Sequence, residues 1–140
     1  MNECRGVGPG DRRERGSNLV EAAIVLPALL LLLAGVADIG RAFREYIVLT
    51  GAAREGARYA VYFPSQQSLI QDRVLQAASD AGVTLVRSNV LVTRVQGAGA
   101  DEAVRVTVTQ QVALLLGGVV GLDTLTVSSF AEMPILDPNR

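Results

Sequence analysis

Leu19 to Ala37 reads LVEAAIVLPALLLLLAGVA, nineteen residues in which Glu21 is the only charge. As a helix rising ~1.5 Å per residue this run covers roughly 28 Å, close to the ~30 Å hydrocarbon thickness of a bilayer. The run therefore predicts one membrane span. Two other uses of such a run compete with it. A buried core helix needs a larger surrounding domain to cover every face. A secretory signal has a shorter apolar region followed by a small-residue cleavage site, for which Ala34-Gly35-Val36-Ala37 is the available stretch. The span also stands between equal charges: Arg5, Arg12, Arg13 and Arg15 precede it, and Arg41, Arg44, Arg54 and Arg58 follow it. Counting basic residues on either side therefore leaves its orientation open.

The rest of the composition removes most chemistry. Among 140 residues there is no His and no Trp, the one Cys is Cys4, and all 13 basic residues are Arg. Histidine-dependent triads, His/Cys metal sites and lysine Schiff bases are excluded, and a lone Cys cannot close an internal disulfide. With 14 acidic residues the net charge is -1, which is no footprint for a nucleic-acid backbone. Asp101 with Glu102, or Asp123 with Glu132, form carboxylate pairs that nothing in the sequence spaces or shields. Gly117-Gly118 lacks the Lys-Ser/Thr of a phosphate-binding loop. The expectation is a protein that is not an enzyme, with no catalytic residues, no metal, no cofactor, no small-molecule substrate and no nucleic-acid partner.

The first sixteen residues, MNECRGVGPGDRRERG, hold four glycines, a proline and seven charges, a composition that cannot bury a core and predicts a tail. Glu21 then lies just inside the apolar run. At mid-membrane such a carboxylate costs about 2.5 to 3.5 kcal/mol, and less near an interface. If the chain is cut between Gly16 and Ser17, the new α-ammonium lies near one helical turn from Glu21. Two unit charges 4 Å apart attract by about 4 kcal/mol at an effective dielectric of 20, enough to offset that cost. A milder account has Glu21 in the first turn of a helix begun by Ser17 or Asn18, where the helix dipole favours it.

Gly16-x-x-x-x-Glu21 followed by an apolar helix resembles a type IV prepilin processing site. Val20 to Val61 further resembles the TadE-like (TadE/TadG) family of Flp/Tad pilus-assembly proteins. The resemblance is carried by Val20-Glu21-Ala22-Ala23, Leu26-Pro27, Asp38-Ile39-Gly40-Arg41 and Ala52-Ala53-Arg54-Glu55-Gly56-Ala57-Arg58. The family-motif residues are thus Asp38, Gly40, Arg41, Arg54, Glu55 and Arg58. The resemblance implies that a prepilin peptidase cuts after Gly16 on the cytoplasmic side. It also implies a chain held in the cytoplasmic membrane by a single pass, with its C-terminal region extracytoplasmic and pilus-associated. Its partners would be the membrane, the prepilin peptidase, and other pilin-like and Flp/Tad assembly subunits. Ala22 stands where major Flp pilins carry Tyr, and the region beyond the span is longer than theirs; both features imply a minor subunit or assembly factor. The alternative is a single-span, membrane-tethered extracytoplasmic binding module unrelated to pili. The implied division is a leader over 1–16, a transmembrane helix over 17–37, a helical stem over 38–62 and a small extracytoplasmic α+β region over 63–140.

The stem repeats small residues at Ala52, Gly56 and Ala60, with Ala53 and Ala57 beside them, a stripe that lets another backbone approach closely. It has two readings, packing on the chain's own sheet or packing on neighbouring subunits. After Tyr62-Phe63-Pro64-Ser65, Ser68 and Gln71 have capping-box spacing. Ile70, Val74, Ala77, Ala78 and Ala81 mark one face of a short helix that Gly82 stops. Period-two alternation over Val90–Val95, Val104–Thr109 and Leu125–Ser128 predicts three antiparallel strands, with a hairpin loop from Gln96 to Glu102. Val104, Val106 and Val108 should face the stem, with Arg105, Thr107 and Thr109 toward water. The apolar segment Leu114–Leu122 is too short to span a membrane. It reads either as a buried crossover or as an exposed loop touching lipid or a partner subunit. The expected fold class is α+β: a long N-terminal transmembrane and stem helix packed on a small three-stranded antiparallel sheet, with one further short helix, in a pilin-like arrangement.

Overall fold

With Pro27 as the one breaker, helix-compatible residues run from the charged segment through the apolar run and into the stem, and one helix results. In the structure, a computed structural model describing residues 11–96 and 102–135, α1 extends over Asp11–Tyr62. At ~1.5 Å per residue this is a rod of about 78 Å. Residues 1–10 of the expected 1–16 leader, with Cys4, lie outside the described residues, as do 97–101 at the centre of the expected hairpin loop. The helix includes residues 11–16, expected as the end of a tail, and so reaches ahead of the start expected at Ser17 or Asn18; Arg12, Arg13, Glu14 and Arg15 are good helix formers. Pro27 lies inside α1. It removes one backbone donor, a loss that helices of this apolar kind tolerate where neighbouring groups re-satisfy the freed carbonyl.

Pro64 ends the rod, and α2 follows over Gln67–Asp80. The capping box expected at Ser68 is not formed. The N-cap is Gln66, without a side-chain cap bond, and Ser68 lies inside the first turn. Gln71 instead sends its Nε2 to the Val90 carbonyl at 3.1 Å, tying α2 to the start of the sheet. Ile70, Val74 and Ala78 are buried and Ala77 is half-buried, while Ala81 is exposed beyond the end of the helix. The stop at Gly82 has the geometry its composition suggests. Gly82 has φ +79° and donates to Ser79 O at 2.9 Å, and Val83 donates to Ala78 O at 2.9 Å, a Schellman closure.

After a single 3-10 turn at Arg87–Asn89 come β1 (Val90–Gln96), β2 (Glu102–Ala113) and β3 (Thr124–Pro134), with a one-turn helix α3 (Gly117–Val120) between the last two. The sheet is an antiparallel meander in the order β1-β2-β3. Val90 pairs with Val108 and Gln96 with Glu102 across β1 and β2; Ala103 pairs with Pro134 and Ala113 with Thr124 across β2 and β3. β3 is much longer than the expected Leu125–Ser128. Its inward positions are Val127, Ser129, Ala131 and Met133, so a hydroxyl and a methyl interrupt the apolar alternation that marks a strand in sequence.

Both long helices cover one face of the sheet, and α1 packs against β2, β3 and α2. Val104, Val106 and Val108 are fully buried beneath them, as expected. Arg105 lies on the open face. Its Nε and Nη2 donate to Glu132 Oε2 at 3.1 and 2.9 Å, and its guanidinium stacks over the Phe130 ring. The core joins Leu49, Ile70 and Val74 to these valines. Each such side chain contributes roughly 1.5–3 kcal/mol on full burial.

Two glycines on α1 separate the covered from the open side of the stem. A Cβ at Gly56 would overlap Val74 Cγ2 and press on Val106 Cγ1, whereas a Cβ at Gly51 would meet nothing within 4 Å. Gly51→Ala should therefore gain about 0.5–1 kcal/mol from helix propensity. Gly56→Ala should lose that gain to overpacking, which costs typically about 1–3 kcal/mol. Thermal unfolding of the two variants in detergent should shift in opposite directions; a stabilised Gly56→Ala would contradict the close approach.

Candidate functional site

The change from uncovered to covered helix falls at Asp38. From Leu19 to Leu33 every residue of α1 is exposed, and Asp38 is the first buried residue after Leu19, 7% exposed. A carboxylate there needs donors, and they come from the far end of the sequence. Leu115 N–H donates to Asp38 Oδ1 at 2.7 Å and Leu116 N–H donates to Oδ2 at 3.0 Å. Each oxygen thus takes one main-chain donor, and charge-assisted bonds of this kind are about twice as strong as neutral ones. These two bonds hold the Asp38 carboxyl below the usual aspartate range; burial opposes them, and the nearby Arg41 charge adds to their effect.

The donors can be presented because the segment between β2 and β3 is a closed turn. Leu114 N–H donates to Asp123 O at 3.1 Å, and Gly121 and Leu122 both donate to Gly117 O. A Cβ at Gly117 would come within 2.9 Å of the Asp123 Cα, so only glycine fits that close backbone approach. Gly121 supplies the left-handed residue that ends α3, with φ +74°. The segment expected either as a buried crossover or as an exposed loop is mostly exposed: Leu115, Val119 and Leu122 point away from the protein while the backbone at 115–116 is pinned to α1.

Two further contacts hold the lobe to the stem. Arg44 Nη2 donates to the Ala81 carbonyl at 3.2 Å, at the end of α2. Thr50 Oγ1 lies 2.8 Å from Ser129 Oγ and also donates to Tyr46 O at 2.8 Å, so the buried serine of β3 has a partner on α1. Neither pair is visible in sequence, because the partners stand 37 and 79 positions apart.

The remaining residues singled out in the sequence fall into three groups. Ala52, Ala53, Gly56, Ala57 and Ala60 are all buried, facing α2 and the sheet of their own chain. Gly40, Arg41, Arg54, Glu55 and Arg58 lie on the outer part of the stem. Gly40, Arg41, Arg54 and Arg58 are exposed, Glu55 is half-buried, and Arg58 Nε is 3.7 Å from Glu55 Oε2 one turn away. Gly16, Ser17 and Glu21 lie within α1, and Glu21 is exposed. The structure thus brings Asp38 together with the 114–122 turn, with Arg41 nearby, and leaves Arg54, Glu55 and Arg58 apart from it. Among the described residues no group of three or more His, Cys, Asp or Glu side chains is arranged to hold a metal ion.

Because the folded-state pKa of Asp38 lies below its unfolded value, the clamp contributes fully above the ordinary aspartate value of about 3.9 and is lost as pH falls through the folded one. Hydrogen-exchange protection at the Leu115 and Leu116 amides, taken relative to an unstructured chain at the same pH, should fall on acidification through that window. In Asp38→Ala those amides should lose protection at neutral pH as well. Protection unchanged in that variant would show that the carboxylate does not hold the turn.

The segment Asn18–Tyr62 is long and apolar enough to cross a membrane, and its most apolar stretch has a mean hydropathy of 2.5 with none of it buried. A core helix would be covered there. Residues 16–58 match the family model described as "TadE-like protein", and residues 49–132 match the one described as "Putative Tad-like Flp pilus-assembly". No curated protein matches the chain, and no solved structure does. The second match covers most of the chain and overlaps the first along the buried stem, and its reach from the stem to β3 takes in the sheet, α2 and the pinned turn. The chain therefore belongs to the Tad-like Flp pilus-assembly family, as a TadE-like protein with a role tied to the Flp/Tad pilus.

Proposed function

We propose that this protein is a pilin-like minor subunit or assembly factor of a Flp/Tad-type pilus, anchored in the cytoplasmic membrane by α1 and processed by a prepilin peptidase between Gly16 and Ser17. The observation that carries the reading is the pair of overlapping family matches, the first of which begins at Gly16. The exposed apolar run from Leu19 to Leu33 supports the anchor, and the small folded lobe beyond it supports presentation to other assembly subunits. In this reading the N-terminus is cytoplasmic and the lobe extracytoplasmic. Glu21, exposed on α1, then needs a positive partner inside the lipid, and the α-ammonium freed at Ser17 supplies one from the same chain or a neighbour's.

The chemistry asked of the chain is mechanical. The apolar run holds the subunit in the bilayer until it is withdrawn. The stem, covered on one side by its own lobe, keeps the other side free for neighbouring subunits. Gly51, Arg54 and Arg58 lie on that free side.

The test is the mature N-terminus. Intact-mass and N-terminal peptide analysis of the native protein should find a chain beginning at Ser17, and Gly16→Leu should leave the leader attached. An uncut Met1 in the presence of the peptidase, or a cut near Ala37, would replace this reading with that of a tethered or secreted binding module.

A further inference from the structure

The turn that Asp38 pins lies at the same height as the end of the apolar run, and its outward side is apolar. We propose that the 114–122 turn is a second membrane contact, seated in the headgroup and acyl boundary of the leaflet on the C-terminal side of the span. The inference rests on α1 being the span; given that, the depth of the turn follows from contacts to α1. Leu115 and Leu116 bond to Asp38, the first residue after the run. Leu116 reaches further back: its Cδ1 lies 3.6 Å from where a Cβ would stand on Gly35, three residues before Asp38 and about 4.5 Å deeper along the helix. Ala34 and Gly35 are correspondingly the only partly covered positions between Leu19 and Ala37. A side chain packed on a lipid-embedded part of the helix is itself at lipid depth.

The exposed residues of the turn match that position. Leu115 is 61% exposed, Val119 73% and Leu122 62%, in a segment whose residues from Leu114 to Leu122 carry no charge. Arg41, exposed and about one turn beyond Asp38 on α1, stands where an arginine side chain is long enough to bring its guanidinium to the phosphate layer. A group of apolar side chains continuous with the lipid-facing helix, bounded by an arginine, is the arrangement of an interfacial contact. The consequence is geometric. With one attachment the lobe swivels about the helix axis; with a second, the membrane end of the sheet is laid on the bilayer and the lobe faces one direction.

The experiment uses the full chain carrying Cys4→Ser, reconstituted in phosphatidylcholine and phosphatidylglycerol vesicles, with one cysteine at a time labelled by an environment-sensitive fluorophore. The sites are Leu29→Cys in the run, Val119→Cys in the turn and Ser68→Cys on α2, at the end of the stem far from Asp38. Quenching is read with nitroxide lipids, shallow and deep, and with aqueous iodide. The expected result is that Leu29 is quenched by the deep nitroxide, Val119 loses emission to the shallow nitroxide and resists iodide, and Ser68 responds to iodide alone. Val119 open to iodide while Leu29 is lipid-quenched would overturn the contact and leave the span intact. Val119 protected from both quenchers would overturn it in favour of a second copy of this chain covering the turn. Leu29 untouched by any nitroxide lipid would instead overturn the span itself. Leu115→Asp, labelled at Val119, should restore iodide access while Leu29 stays lipid-quenched, and no change there would also count against the contact.

Discussion

One unbroken helix in this protein has to satisfy two surroundings in turn, and the rest of the structure follows from where the change is made. Along Leu19–Leu33 every side of α1 is open, so every side must be apolar. Along Leu49–Ala60 one side is closed over by α2 and the sheet, so that side must be small enough for close approach and the other side free to be polar. A helix with a single backbone geometry can only change its surroundings through its side chains, and both requirements are written there.

The close approach is made by omission of bulk. Ala52, Ala53, Gly56, Ala57 and Ala60 contribute little surface of their own, and their role is to bring the backbone of α1 within reach of Val74, Ile70 and Val106. The buried volume is supplied from the other side, by the valines of β2 and the aliphatic face of α2. A stripe of this kind serves equally for packing on another subunit, and the fold uses it within the chain. What the chain itself leaves uncovered is the opposite side of the stem, together with the apolar run.

Between the two regimes stands a carboxylate. Asp38 is too polar for the run and too buried to be left alone, and it is satisfied by the backbone of a turn whose first donor to it, Leu115, stands 77 residues later. Two N–H donors in a glycine-shaped turn convert a costly buried charge into an attachment point. The lobe is thus held to the stem at both levels, by the core packing around Gly56 and by the clamp at the edge of the run, with the Thr50–Ser129 and Arg44–Ala81 bonds between them.

Much of this is legible in the order of residues alone. Length and hydropathy determine that residues 19–37 suit a bilayer, because a helix of that length with one charge suits few other places. Period-two and period-3.6 patterns locate the three strands and the second helix, since side-chain direction follows directly from backbone geometry. The composition excludes histidine and lysine chemistry outright. Legibility fails wherever a residue's role depends on a partner far along the chain. Ser68 has the spacing of a cap and is not one, because Gln66 and the docking of Gln71 on Val90 decide where α2 begins. β3 extends past its apolar alternation because Ser129 faces inward to meet Thr50. The small stripe has two readings until the chain's own sheet lies against it, and the apolar segment 114–122 has two until Asp38 holds its backbone. Local patterns determine what each segment is, because they are set by the periodicity of one chain; which surface covers which is decided only when distant segments compete for the same space, and that is a property of the folded whole.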